Sequence, residues 1–147
     1  MPDHNLSLAR RLIAEASRAV LATRLPDEWP YASLVLVAAD DAGLPLLLLS
    51  DLAEHSRNLR LEPRASLLFD GTAGMAQPLE GARLTLLGRI ERADEPAALA
   101  RFVARHPDAA NWARMSDFRL YRLRPARAHL VAGFGRIAWI EAAEIFR

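Results

Sequence analysis

Cysteine is absent from this chain of 147 residues. Its absence removes disulfides, thiolate metal sites, iron–sulfur clusters and cysteine nucleophiles together. Lysine is absent as well: all 19 basic residues are arginine. No side chain can form a Schiff base with pyridoxal phosphate. Arginine offers instead a planar fork suited to phosphate and carboxylate, although a GC-rich genome is the plain origin of such a bias. Aromatic residues make up only 7%, and acids balance the arginines to a net charge of +1. Neither the stacking platform nor the steering field of a nucleic-acid binder is present. No apolar run reaches the roughly 18–20 residues of a membrane span. The first residues carry Asp3 and break their apolar run early, unlike a signal peptide. The expectation is a protein without nucleic-acid or membrane partners, with the cytoplasm as default location.

What remains is an ordinary globular composition, 52% apolar and 25% charged, of a length that suits one domain over residues 1–147. Apolar residues at helical spacing (Leu6, Ala9, Ile13, Ala16) predict a helix over 6–17. Strands are predicted over 19–24, 31–39, 44–49, 64–70 and 82–92, with turn chemistry at Asp40-Asp41-Ala42-Gly43. The segment 31–39 is apolar on both faces and is expected to be covered on both sides; 44–49 is also fully apolar, with few helices expected to cover it. Ser50 or Asp51 is the expected cap of a short helix over 52–62, which Pro63 ends. Helices are predicted over 95–106, with Asp94 as cap and Leu99, Phe102 and Val103 as buried stripe, and again from Asp108. The last strands are expected over 118–124, 126–132 and 136–140. Hairpin spacing without regular βαβ alternation points to a mainly β fold, an antiparallel barrel with peripheral helices.

The stretch from Ser50 to Leu59 (SDLAEHSRNL) carries most of the chemistry. It joins a strand end to a helix start, where backbone N–H groups favour anions. Ser50, His55, Ser56, Arg57 and Asn58 add polar side chains suited to a phosphate dianion. Capping and a solvated helix face explain the same residues. The longer run LLSDLAEHSRNLRLEPRASLLF resembles the pyridoxamine-5′-phosphate-oxidase-related, FMN-binding split-barrel family, and within it the haem-utilisation (HugZ-like) branch. The likeness extends over residues 31–36, 83–91 and 133–140. It implies an FMN-binding split β-barrel of antiparallel Greek-key type. Tyr31, Ala32, Ser33, Leu34 and Val35 then lie along the isoalloxazine ring. Ser50 stands at the next strand end, His55, Ser56, Arg57 and Asn58 take the phosphate, and Arg83 reaches the flavin from a later strand. The lysine and the Arg-x-His signature of true pyridoxamine-phosphate oxidases are missing, which counts against vitamin B6 oxidation.

The function expected from this reading is an FMN-dependent oxidoreductase acting on a small-molecule substrate. The alternatives are a haem-binding or haem-degrading protein on the same barrel, or a non-catalytic dimer. In the haem alternative His129 or an arginine is the candidate axial ligand, and Arg119, Arg122, Arg124 and Arg127 form a cluster for propionates; a structural histidine and a solvated strand face are the plainer readings. Gly133-Phe134-Gly135-Arg136 permits close backbone approach, or simply a bend. The two fully apolar strands imply a homodimer with the flavin at its interface, flanked by Trp112, Met115, Phe134 and Trp139. No metal site is expected.

Overall fold

The computed structural model describes residues 2–146. Among them run seven strands: β1 (Arg18–Arg24), β2 (Pro30–Ala39), β3 (Pro45–Ser50), β4 (Arg64–Asp70), β5 (Arg83–Arg92), β6 (Phe118–Gly133) and β7 (Arg136–Glu141). They form one sheet in the order β3-β2-β1-β4-β5-β6-β7, and β3 also pairs with β6. That extra pairing closes the first six strands into a barrel and leaves β7 as a flap on β6. Every pairing is antiparallel. The split-barrel architecture expected from the sequence is the one observed.

Strict alternation builds the interior. In β5, Leu84, Leu86, Gly88 and Ile90 point inward while their neighbours point out. Leu21, Leu47, Leu67, Phe69, Leu123 and Leu130 meet them in the barrel core, and helix α1 (Pro2–Glu15) adds Leu8, Ala9 and Ile13. Helix α2 (Glu54–Leu61) packs beside β1. It starts two residues later than expected, and neither Ser50 nor Asp51 is its cap. Ala53 holds that position without a side-chain bond, while the Ser50 hydroxyl accepts the Leu52 N–H in the preceding turn at 3.1 Å.

A second core lies outside the barrel. Helices α3 (Pro96–Arg105) and α4 (Ala109–Ala113) cover Ala38, Leu46 and Leu120 with Phe102 and Ala109. Burying a side chain such as Phe102 contributes roughly 1.5–3 kcal/mol. This corrects one expectation: β3 is covered by the chain's own helices, so it offers no surface to a partner. It also corrects β2, which is covered on both sides only in its second half. Pro30, Ala32 and Leu34 on its outer face are exposed. The stripe of α3 is Ala98 and Phe102, with Leu99 and Val103 only half-buried, and Glu95 rather than Asp94 occupies the cap position.

The two strands expected over 118–124 and 126–132 are one strand of 16 residues. Pro125 is absorbed where the register with β5 shifts between Leu87 and Gly88. Gly88 is required there, since a Cβ would run into the Arg124 carbonyl oxygen. Helix α5 (Ala142–Ile145) follows β7, and Arg10 ties it to α1 by donating to the Ile145 and Glu144 carbonyls at 2.8 and 2.9 Å. No helix among the described residues is long and apolar enough to cross a membrane.

Candidate cofactor-binding site

Helix α2 carries four of the residues singled out in the sequence, and its 3.6-residue period sends them different ways. Ser56 and Asn58 face the barrel and are buried. The Ser56 hydroxyl donates to the Ser50 carbonyl at 2.6 Å. The Asn58 amide donates to the Thr23 hydroxyl at 3.0 Å, and its Oδ1 has no hydrogen-bond partner among the described residues. Both side chains therefore fasten α2 to the barrel. Arg57 is exposed beside Glu54 at 3.8 Å. His55 is half-buried, with Nδ1 at 3.1 Å from the Ser33 hydroxyl, and burial holds its pKa below the ordinary 6.5. Ser50 donates its hydroxyl to Asp117 at 2.7 Å. The accessible donors at this end of the barrel are thus His55, Arg57 and the uncapped start of α2.

The strand Tyr31–Val35 splits by the same logic with period two. Tyr31, Ser33 and Val35 point toward the barrel, and Val35 belongs to its core. Ala32 and Leu34 point outward. Arg83 sits on β5, three strands from β2 in either direction around the closed barrel. Its guanidinium donates to the Leu79 and Gly81 carbonyls at 3.0 and 3.3 Å. One chain alone does not bring Arg83 and the start of α2 together.

The structure does gather a set of arginines that the sequence does not show as a group. A groove of about 770 Å³ runs across the outer sheet face, lined by Arg24, Arg64, Arg89, Arg124 and Arg127 over a floor that includes Ala22, Ala65, Leu87 and Ala126. Glu28 pairs with Arg24 at 2.8 Å, Glu62 with Arg64 at 2.6 Å and Glu91 with Arg124 at 2.5 Å. Hydrogen bonds from Arg64 hold the Glu62 carboxyl down at about 2. Arg89 and Arg127 have no carboxylate partner among the described residues. Two uncompensated guanidinium groups beside an apolar floor suit a ligand that is flat, apolar and doubly anionic.

The expected Arg119–Arg127 cluster is dispersed. Arg119 pairs with Asp51 at 2.8 Å, and Arg122 is buried against Asp40 and Glu95. Only Arg124 and Arg127 reach the groove. Trp112 and Met115 precede β6, whereas Phe134 follows it, so the four residues expected at one contact lie toward opposite ends of a 16-residue strand. No group of three or more metal-ligating side chains occurs among the described residues.

Residues 2–147 match the CREG beta-barrel family. The chain belongs to that family. The non-canonical heme oxygenase HOZ, a chloroplastic protein of Arabidopsis thaliana, is 33% identical over 108 residues, which is 71% of this chain and 32% of the plant protein. The chain therefore spans about a third of the length of that relative. A heme binding protein from Mycobacterium smegmatis superposes with a TM-score of 0.89 at 33% identity, over 96% of this chain and 59% of the other. A Clostridium acetobutylicum protein of the pyridoxinephosphate oxidase family superposes with a TM-score of 0.76 over 99% of this chain and 100% of that one; at 13% identity it shows the fold alone. The resemblance read from the sequence is borne out in family and fold: this CREG barrel is a split barrel, similar in sequence to a heme oxygenase and a heme binding protein, and it shares its fold with a pyridoxinephosphate oxidase family protein.

Within the CREG barrel, sequence reasoning missed Arg24, Arg64 and Arg89. They sit on three different strands and converge only through the β1–β4–β5 pairings. No local run marks them. A search for arginines at matching positions in predicted strands was the one signal available.

Proposed function

We propose that this chain binds haem, with the groove arginines taking the two propionates and the apolar floor of the groove taking the porphyrin plane. The observation that carries the reading is the groove itself, in which five arginines surround an apolar floor. A porphyrin dicarboxylate has this pattern of charge and apolar surface, and Arg89 and Arg127 are the guanidiniums free to meet it. The names of the Arabidopsis and Mycobacterium relatives support the same class of ligand. A bound haem would supply one-electron and oxygen chemistry. The residues of this chain bind it, orient it and shield one face from water.

Titrating the full chain with haemin and following the Soret band tests this directly. Removing a charge-assisted bond costs about 1.5–3 kcal/mol, so Arg89→Ala with Arg127→Ala is expected to weaken haemin binding at least tenfold. Wild-type protein that takes up no haemin, or a double variant of unchanged affinity, sinks the reading.

One observation favours FMN as a second reading. Helix α2 starts without a side-chain cap, and His55 and Arg57 stand at that start, where a phosphate is welcome. FMN at that place would belong to an oxidoreductase with a small-molecule substrate. Competition decides between the two: FMN that binds without displacing haemin occupies a separate site at α2, and FMN that binds where haemin does not overturns the haem assignment.

A further inference from the structure

We infer that the groove recognises its ligand by two carboxylates and a flat ring and not by the iron, so that porphyrin dicarboxylates without iron bind it as haemin does. The inference rests on the haem reading above. Two neighbouring rows of the sheet build the groove. In the first, Arg64, Arg89 and Arg124 stand directly opposite one another across β4, β5 and β6. Adjacent strands lie about 4.8 Å apart, and like charges placed so repel. Glu62 relieves Arg64 and Glu91 relieves Arg124, which leaves the central Arg89 uncompensated among the described residues. In the second row Ala22, Ser66 and Leu87 lead across to Arg127. The Arg127 guanidinium lies over the Trp139 ring at 5.4 Å, a contact that positions the fork without using its N–H donors. Arg89 and Arg127 are diagonal neighbours across β5 and β6, a spacing of roughly 7–8 Å at their roots. Two carboxylates on one edge of a ring reach both forks at once.

The same groove has nothing for a metal. Haem iron is held by histidine, cysteine, methionine or tyrosine. Among the described residues none of these types lines the groove, and cysteine is absent from the chain. A guanidinium, always protonated, has no lone pair for iron, which removes the arginine expected as an alternative ligand. His129 stands outside the lining and is half-buried against Trp139, with 4.7 Å between ring centroids. What the groove does offer is a smooth floor: Ala22, Ala65, Gly88 and Ala126 carry at most one side-chain carbon each, so a planar ring lies flat on them. The ion pairs also set the charge of the ligand. Glu28, Glu62 and Glu91 offset three of the five arginines, and the two positive charges left over match a dianion. Ring, charge and spacing are thus specified by the chain, and the metal at the centre of the ring is not.

The test titrates the full, unaltered chain with haemin, zinc protoporphyrin, iron-free protoporphyrin and the dimethyl ester of the last, following ligand absorption and the quenching of tryptophan fluorescence. The three dicarboxylates are expected to bind with dissociation constants within about threefold of one another, because their charge-assisted contacts are the same. The dimethyl ester keeps the ring and loses both charges, and is expected to bind at least about tenfold more weakly than its parent acid. Arg89→Ala with Arg127→Ala is expected to weaken all three dicarboxylates by a common factor and to leave the ester's affinity unchanged, which also shows that the variant is folded. Iron-free protoporphyrin that binds at least about tenfold more weakly than haemin means that a side chain ligates the iron; that result overturns the inference and leaves the haem reading standing. An ester that binds as tightly as its parent acid overturns the inference through its carboxylates. A chain that binds none of the four overturns the haem reading itself, and the inference falls with it.

Discussion

Arg122 donates through Nε to Asp40 at 2.7 Å, and both side chains are 9% exposed. The other oxygen of Asp40 accepts the N–H groups of Ala42 and Leu44, each at 2.9 Å. The two remaining arms of Arg122 donate to Glu95 at 3.0 and 3.1 Å. One guanidinium thus joins the β2–β3 turn, strand β6 and the start of α3. Removing one partner of a buried pair leaves the other charge unpaired, at a cost of about 3–5 kcal/mol. Arg122→Met is expected to destabilise the chain by that order, read from urea unfolding midpoints at constant slope. A loss below about 1 kcal/mol contradicts the burial argument.

Four groups shape the pH response with the same sign: Asp70, lowered by Thr72, and Glu95, lowered by Arg122, join His55 and Glu62. The folded pKa of His55 lies below its ordinary 6.5 because burial disfavours the imidazolium. The unfolded chain therefore binds the proton more readily, and stability falls as pH drops below 6.5 until the folded pKa is passed. Glu62 is depressed from 4.5 to about 2 by Arg64, so its contribution is complete above 4.5 and is lost as pH falls from there toward 2. That pair is solvent-exposed and screened by salt, so its share is small. NMR titration is the measurement. A His55 midpoint at or above 6.5, or a Glu62 midpoint near 4.5, contradicts the geometry.

The barrel was legible because alternation is a local signal. Leu84, Leu86 and Ile90 in β5 point inward as their spacing says. The helix covering β3 was not legible as a cover, since nothing local in Leu46 or Leu120 says which element lies over it. That is why two apolar strands read as an association surface when one is sealed by α3 and α4. Pro125 read as a break for a similar reason: the bulge opposite it depends on Gly88, 37 residues earlier. At the site, Ser56 and Asn58 read as ligands because their types suit a phosphate, but their helical phase turns them inward. The arginines of the groove were invisible as a group because strand pairing, not sequence proximity, assembles them.

The last expectation concerns assembly. A single row of outward residues crosses the sheet, Leu34–Val20–Leu68–Thr85–His129–Trp139, each paired with the next across adjacent strands. Leu34 is 67% exposed and Trp139 60%, and Ile137 beside them is 64% exposed. Apolar surface in water costs about 25 cal/mol per Å², and a contiguous patch of this kind marks an association face. A two-fold pair lays the same row against itself. The placement of Arg83 adds a second argument, because β2 and β5 lie on opposite sides of the barrel. A ligand that touches both the start of α2 and Arg83 has to be shared between two copies. The proposal is a homodimer built on this face. Light scattering during size exclusion is expected to give about twice the 16.3 kDa of one chain. Leu34→Arg places a charge on each copy at the most exposed residue of this row and is expected to return the monomer without unfolding it, since the position is solvent-exposed in the isolated chain. A wild type that elutes as a monomer, or a Leu34→Arg variant that remains a dimer, removes this face as the interface.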